Sequence, residues 1–140
     1  MVNFFFEGVP DLNLDRELFL SWLTELCENE GSTLEELSLV FCTDEYLLGI
    51  NKKYLNHDYY TDIITFNYTI DGIKGDLFIS SERVSENAGK QGVSALSELK
   101  RVIAHGTLHL LGYTDNNPEN KAKMTEKEDA ALELFVSRET

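Results

Sequence analysis

Between Ser94 and Gly112 the apolar residues Leu99, Val102, Ile103, Leu108 and Leu110 recur at helical spacing, the longest such stretch in the chain. No other feature narrows the fold as much, because a helix so patterned must bury one face, and Gly112 marks where it stops. Two of the chain's three histidines, His105 and His109, stand on it. Four residues apart, they differ by about 40° in azimuth and about 6 Å in rise, so both rings can face one point. A third group on the same helix cannot reach that point. A glycine can leave the helix with positive φ, and Gly112 can thereby turn the chain so that Asp115 swings back toward the imidazoles. Alone, Gly112 reads as a helix cap, Asp115 as a turn residue and the histidine pair as packed side chains. Together, His105, His109 and Asp115 predict the ligands of one divalent ion, zinc first among them.

The remaining segments say what that helix packs on. Val2 to Phe6 is short, aromatic and β-prone. A helix fits Asp15 to about Asn29, with Leu18, Phe19, Trp22, Leu23 and Leu26 on one stripe. Glu36 to Thr43 alternates as a strand does, and Asp44 can cap a helix running through Tyr46, Leu47, Ile50 and Tyr54. Ile63 to Tyr68 and Ile73 to Ser80 flank Asp71-Gly72 as the arms of a hairpin. Helices follow from Ser81, from Ser94 and from Pro118. The expected architecture is α+β: one domain over residues 1–140, a mixed sheet of about four strands flanked by helices, and a zincin-like metal helix. No apolar run reaches the ~20 residues of a membrane span, and the start lacks the basic flank of a signal peptide. A cytoplasmic location is therefore expected, with Cys27 and Cys42 as reduced core thiols.

Charge restricts the function. Asp and Glu number 25 against 12 Lys and Arg, a formal net charge of −13. A protein holding nucleic acid mainly through its phosphates carries the opposite balance, so any nucleic-acid role must use a local basic patch, the metal or a partner.

The spacing His105-x3-His109-x2-Gly112-x2-Asp115 resembles the metzincin zinc site, H-E-x-x-H-x-x-G-x-x-H, with two departures. Gly106 stands where that motif has its glutamate base, and Asp115 replaces a third histidine. A carboxylate still ligates zinc, whereas the missing glutamate removes the usual proton acceptor. The stretch His105-Gly-Thr-Leu-His109-Leu-Leu-Gly112-Tyr113-Thr114-Asp115 is also similar to the H-G-x-L-H-L-x-G-Y-D-H signature of the YbeY-type endoribonucleases, the rRNA-maturation factors. Asp58 to Phe66 resembles their D-x-P-T-D-V-L-S-F segment, Gly75 to Ser80 their G-D-I-x-I-S strand, and Met124 and Glu128 also look familial. The likeness covers roughly residues 35 to 135. It implies a mixed sheet flanked by helices, and a metal-dependent, single-strand-specific endoribonuclease acting in small-subunit (16S) ribosomal RNA maturation and ribosome quality control. The implied partners are ribosomal RNA, the small subunit and its assembly factors. Leu55 follows Tyr54 where the family has an arginine thought to engage the RNA phosphate.

Three protein ligands leave a fourth position open, as catalytic zinc sites do. Asp62 is the candidate catalytic base, with a strand-entry cap as its other reading. Lys52, Lys53, His57 and Arg83 are candidate substrate contacts, and Tyr59 and Tyr60 are candidates for stacking a base. Two rival functions remain: a small metalloprotease, disfavoured by Gly106, and a non-catalytic ribosome-assembly factor with a structural metal, favoured by Leu55 and the net charge.

Overall fold

The computed structural model describes residues 1–139. Within them follow β1 (Val2–Glu7), α1 (Arg16–Asn29), β2 (Leu34–Cys42), α2 (Asp44–Leu55), β3 (Ile63–Asn67), β4 (Ile73–Ser80), α3 (Ser81–Gln91), α4 (Ala95–Leu110) and α5 (Pro118–Arg138). The strands form one mixed sheet in the order β1-β2-β4-β3. β1 runs parallel to β2, with Val2 opposite Leu37, and β2 runs parallel to β4, with Leu39 opposite Leu77. Parallel neighbours need a crossover, supplied by α1 in the first case and by α2 with β3 in the second. β3 lies antiparallel to β4, Ile63 opposite Ile79, across a turn in which Gly72 has φ +75°. The α+β architecture and the hairpin are as the sequence predicts.

Alternation along the strands divides the apolar residues between two faces. Leu37, Leu39 and Phe41 of β2 and Leu77 and Ile79 of β4 are fully buried in a cluster with Trp22 of α1, Ile103 and Leu108 of α4 and Phe135 of α5. Cys42, Leu47 and Ile64 form a smaller cluster on the opposite face, where α2 packs with Phe66 and Phe78. Both cysteines are buried free thiols, and burial pushes each up to about 12.

Side-chain oxygens satisfy the helix starts. Asp15, Ser80, Ser94 and Asn117 accept from the backbone N–H three residues on. At α2 the cap is Thr43, one residue before the expected Asp44, and its Oγ1 accepts from Tyr46 N at 3.1 Å. Thr43 has the extended backbone a cap requires, while Asp44 is already helical. The Asp44 carboxylate instead accepts from Ser80 Oγ at 2.9 Å and from Arg83 Nη2 at 2.7 Å, tying α2 to α3.

Two contacts place the helices that matter for the site. A Cβ at Gly106 would lie 2.6 Å from Ile63 Cδ1 and 3.0 Å from Leu77 Cδ2, so α4 sits against β3 and β4 more closely than any larger residue allows. Trp22 Nε1 donates to the carbonyl of Ala131 at 2.8 Å, and the Trp22 and Phe135 rings meet edge-on at 4.9 Å, which docks α5 against α1. Among the described residues no helix is long and apolar enough to cross a membrane.

Candidate metal centre

α4 ends in two bonds that reverse the chain: Gly112 N–H donates to the carbonyl of His109 and Tyr113 N–H to that of Leu108, each at 3.0 Å. Gly112 has φ +106°, the left-handed geometry that this termination demands. The reversal does two things at once. It brings the Tyr113 carbonyl to the Nδ1 edge of the His109 ring, and it carries Asp115 back to the helix.

Ligand atoms of His105, His109 and Asp115 all lie within 4.8 Å of one another, and this group could hold a metal ion. The two Nε2 atoms stand 2.9 Å apart. Asp115 Oδ2 is 3.4 Å from Nε2 of His105 and 3.7 Å from Nε2 of His109. A tetrahedral ion with ligands at about 2.0–2.1 Å needs donor atoms about 3.3–3.4 Å apart, within the range of these separations. The donor chemistry fits as well. His109 Nδ1 donates to the carbonyl oxygen of Tyr113 at 2.9 Å, a partner that can only accept, so its Nε2 presents a lone pair. His105 Nδ1 lies 2.6 Å from Oε2 of Glu128 and donates to that carboxylate, which turns its own Nε2 lone pair to the same point. Two lone pairs at 2.9 Å repel unless a cation or a proton stands between them. Burial lowers the proton affinity of His105, yet the bond and charge of Glu128, with Asp115 and Asp62 beyond, raise its pKa above the ordinary value. The centre thus attracts positive charge.

Glu128 has little freedom of its own. It is 8% exposed, and its Oε1 accepts from Arg101 Nη1 at 2.9 Å, while Arg101 Nη2 donates to Asp129 at 2.7 Å. Arg101 precedes His105 by one helical turn on α4, and Glu128 comes from α5, so the histidine is steadied from two helices. The sequence reading gave no role to either residue. The i, i+4 spacing of Arg101 and His105 was the available signal for the first.

In front of the ligands lies a cleft of about 450 Å³, walled by β3 and by the segment after α2. Asp62 lines it, and also lines a cavity of about 160 Å³ behind His105 that it shares with Glu98, Arg101 and Glu128. Burial raises the Asp62 carboxyl above the ordinary range, against the opposing pull of His105 and of backbone N–H groups. Burial likewise raises Glu98, 5% exposed, and the Asp62 charge raises it further.

The other candidates scatter. His57 and Tyr59 line the cleft. Lys52 and Lys53 do not: Lys52 pairs with Asp58 at 3.4 Å, and Lys53 lies 5.2 Å over the Tyr54 ring. Arg83 stands outside the lining, bound to Asp44, with its guanidinium 5.5 Å over the ring of Tyr60, whose hydroxyl donates to Glu45. Asn51, 1% exposed, donates from Nδ2 to the carbonyl of Tyr59 at 2.9 Å, and its own carbonyl accepts from His57 N at 3.0 Å. It clamps the cleft wall, a role legible only once the wall is folded. Gly106 faces the sheet, so a glutamate there, as in the metzincin motif, has no room.

The family model described as "Endoribonuclease YbeY" matches residues 10–136. A protein of Cytophaga hutchinsonii named Endoribonuclease YbeY is 47% identical over 134 residues, covering 94% of each chain. One of the same name from Flavobacterium johnsoniae is 45% identical over 137 residues, covering 96% of this chain and 97% of its own. The fold is also that of the solution structure of TM1509 from Thermotoga maritima, with a TM-score of 0.68 at 23% identity over 98% of this chain and 90% of that one.

Proposed function

Because the chain belongs to the YbeY endoribonuclease family, and so is a hydrolase acting on RNA, we propose that it cuts single-stranded RNA at a zinc centre held by His105, His109 and Asp115. The substrate in this reading is ribosomal RNA at the small-subunit maturation step, met in the cytoplasm on the ribosome or with its assembly factors. The observation that carries it is the convergence of two imidazole lone pairs and one carboxylate oxygen on one point at the edge of an open cleft.

When bound, a zinc-like ion acts as a Lewis acid on a phosphoryl oxygen and makes water a stronger acid. The chain does the rest. Glu128 and the Tyr113 carbonyl hold the two rings in the tautomer that ligates. Asn51 fixes the wall opposite, so a strand lying in the cleft meets a rigid surface. With position 106 turned into the sheet, the motif's usual glutamate base is absent, which leaves metal-bound hydroxide or a carboxylate outside the motif as the proton acceptor, and we assign the role to the latter. Asp62 is a carboxyl group in the cleft whose pKa burial raises above the ordinary value, and its backbone carbonyl, accepting from Ser80 N at 3.0 Å, keeps it there. In this reading Asp62 takes the proton from the attacking hydroxyl and can return it to the leaving oxygen.

Three protein ligands facing a cleft favour catalysis over a structural ion, which a closed four-ligand set would serve. The test pairs elemental analysis with cleavage of single-stranded RNA by the wild type and by His109→Ala. One zinc per wild-type chain, with cleavage lost in the variant and in chelator, is the expected result. Cleavage that survives both changes would overturn the assignment.

A further inference from the structure

The cleft poses a problem for a protein that binds RNA: among the described residues, no lysine or arginine lines it. Its charged lining groups besides the histidines are Asp62 and Asp115, and the whole chain carries −13. Within that lining phosphate therefore meets no cationic side chain from lysine or arginine, which leaves neutralisation there to an ion on the three candidate ligands. What the wall opposite the metal does offer is apolar and aromatic surface. Leu55, at the place where the family resemblance leads one to expect an arginine, lines the cleft at 40% exposure. Beside it the exposed His57 ring stacks on Tyr59, centroids 5.1 Å apart and planes within 21°, with the Tyr59 hydroxyl 2.9 Å from His57 Nδ1. Tyr59 is 55% exposed although its backbone is clamped by the buried Asn51. Ring surface held rigid yet left open to water is what an unpaired base needs.

We propose that Leu55, His57 and Tyr59 form a nucleobase platform, so that this chain holds single-stranded RNA by stacking a base beside the scissile phosphate instead of by pairing charges along the backbone. This rests on the nuclease reading above. It assigns the substrate's exposed base a binding role and makes the Leu55 position a choice between stacking and charge.

Fluorescence anisotropy tests it, using the zinc-loaded protein and nuclease-resistant strands with 2′-O-methyl ribose and phosphorothioate linkages so that no strand is cut. The probes are a labelled single-stranded RNA oligomer and the same oligomer with abasic ribose at its central positions. Wild type should bind the abasic strand about 5- to 150-fold more weakly, the range of one stacked base. Its affinity for the intact strand should fall less than about tenfold between about 50 and 200 mM salt, as for one or two phosphates. Tyr59→Ala should bind both strands alike, and Tyr59→Phe should keep the preference. Leu55→Arg should bind the abasic strand more tightly and steepen the salt dependence. Circular dichroism and the melting temperature verify that each variant is folded. Equal binding of the two strands by wild type overturns the platform. Failure to bind either strand overturns it too, and cleavage of RNA by the zinc-loaded wild type would show in that case that the nuclease reading stands without it.

Discussion

His105 and Glu128, on helices that are separate in the chain, meet at 2.6 Å through Nδ1 and Oε2, and Arg101 holds the other oxygen of the same carboxylate at 2.9 Å. The bond fixes which ring nitrogen of His105 faces Asp115, so a residue 23 positions downstream shapes the candidate ligand set without belonging to it.

Glu128→Ala should weaken zinc binding about 10- to 100-fold, the usual cost of removing a partner that orients a ligand. Arg101→Ala should weaken it less, since the carboxylate survives. Competition against a chromophoric chelator at neutral pH measures both. Affinity unchanged in Glu128→Ala would show that the bond does not orient the ring.

Among the ligands themselves the effects should be graded. His105→Ala and His109→Ala should each lose stoichiometric zinc, whereas Asp115→Ala should retain a weak site, because its carboxylate is 42% exposed and water can replace it. Elemental analysis after dialysis decides. A double histidine variant that keeps a full complement of zinc would end this account.

Glu98 gives a pH dependence whose sign follows from burial. The folded protein raises this carboxyl above its ordinary 4.5, through burial first and the Asp62 charge second, so the fold prefers it protonated. That preference contributes stability below the ordinary pKa and is lost as pH rises through the folded one. Glu98→Gln, which cannot ionise, should therefore be more stable than wild type to urea at pH 7, and the gain should vanish near pH 4. An equal difference at both values would remove ionisation from the explanation.

Gly106→Ala tests the seat of α4. Its Cβ would press on Ile63 Cδ1, a movable side-chain end, and on the buried Leu77 methyls. Overpacking of this kind costs about 1–3 kcal/mol, read by urea unfolding. Since His105 and His109 flank this turn, zinc affinity should fall as well. A variant as stable as wild type would mean that the helix lifts freely.

Much of the centre was legible because it is local. Helical pitch sets the angle between His105 and His109, and a left-handed Gly112 returns Asp115, all within eleven residues. Strands and helices could likewise be read from apolar period. The order β1-β2-β4-β3 could not, since period says which face a strand buries but not which neighbour it takes. The role of Glu128 stayed hidden for a related reason: its reach to His105 depends on how α5 docks, which the Trp22–Ala131 bond, about one turn further along the same buried face, helps to determine. Charged side chains were least legible. From the sequence Arg83 is a candidate phosphate contact whose commoner reading is a solvated surface charge, yet in the fold its partner is Asp44, 39 residues earlier, across an inter-helix contact that no spacing encodes.

All three candidate ligands, and the carboxylate that steadies one of them, come from residues 105 to 128, after the whole sheet has been laid down in the chain. On a translating ribosome all four strands therefore leave the exit tunnel before His105 or His109 does. An ion bound by this group could be taken up only when synthesis is nearly finished, so it could not template the sheet, and a molecule truncated before α5 would lack the steadying carboxylate.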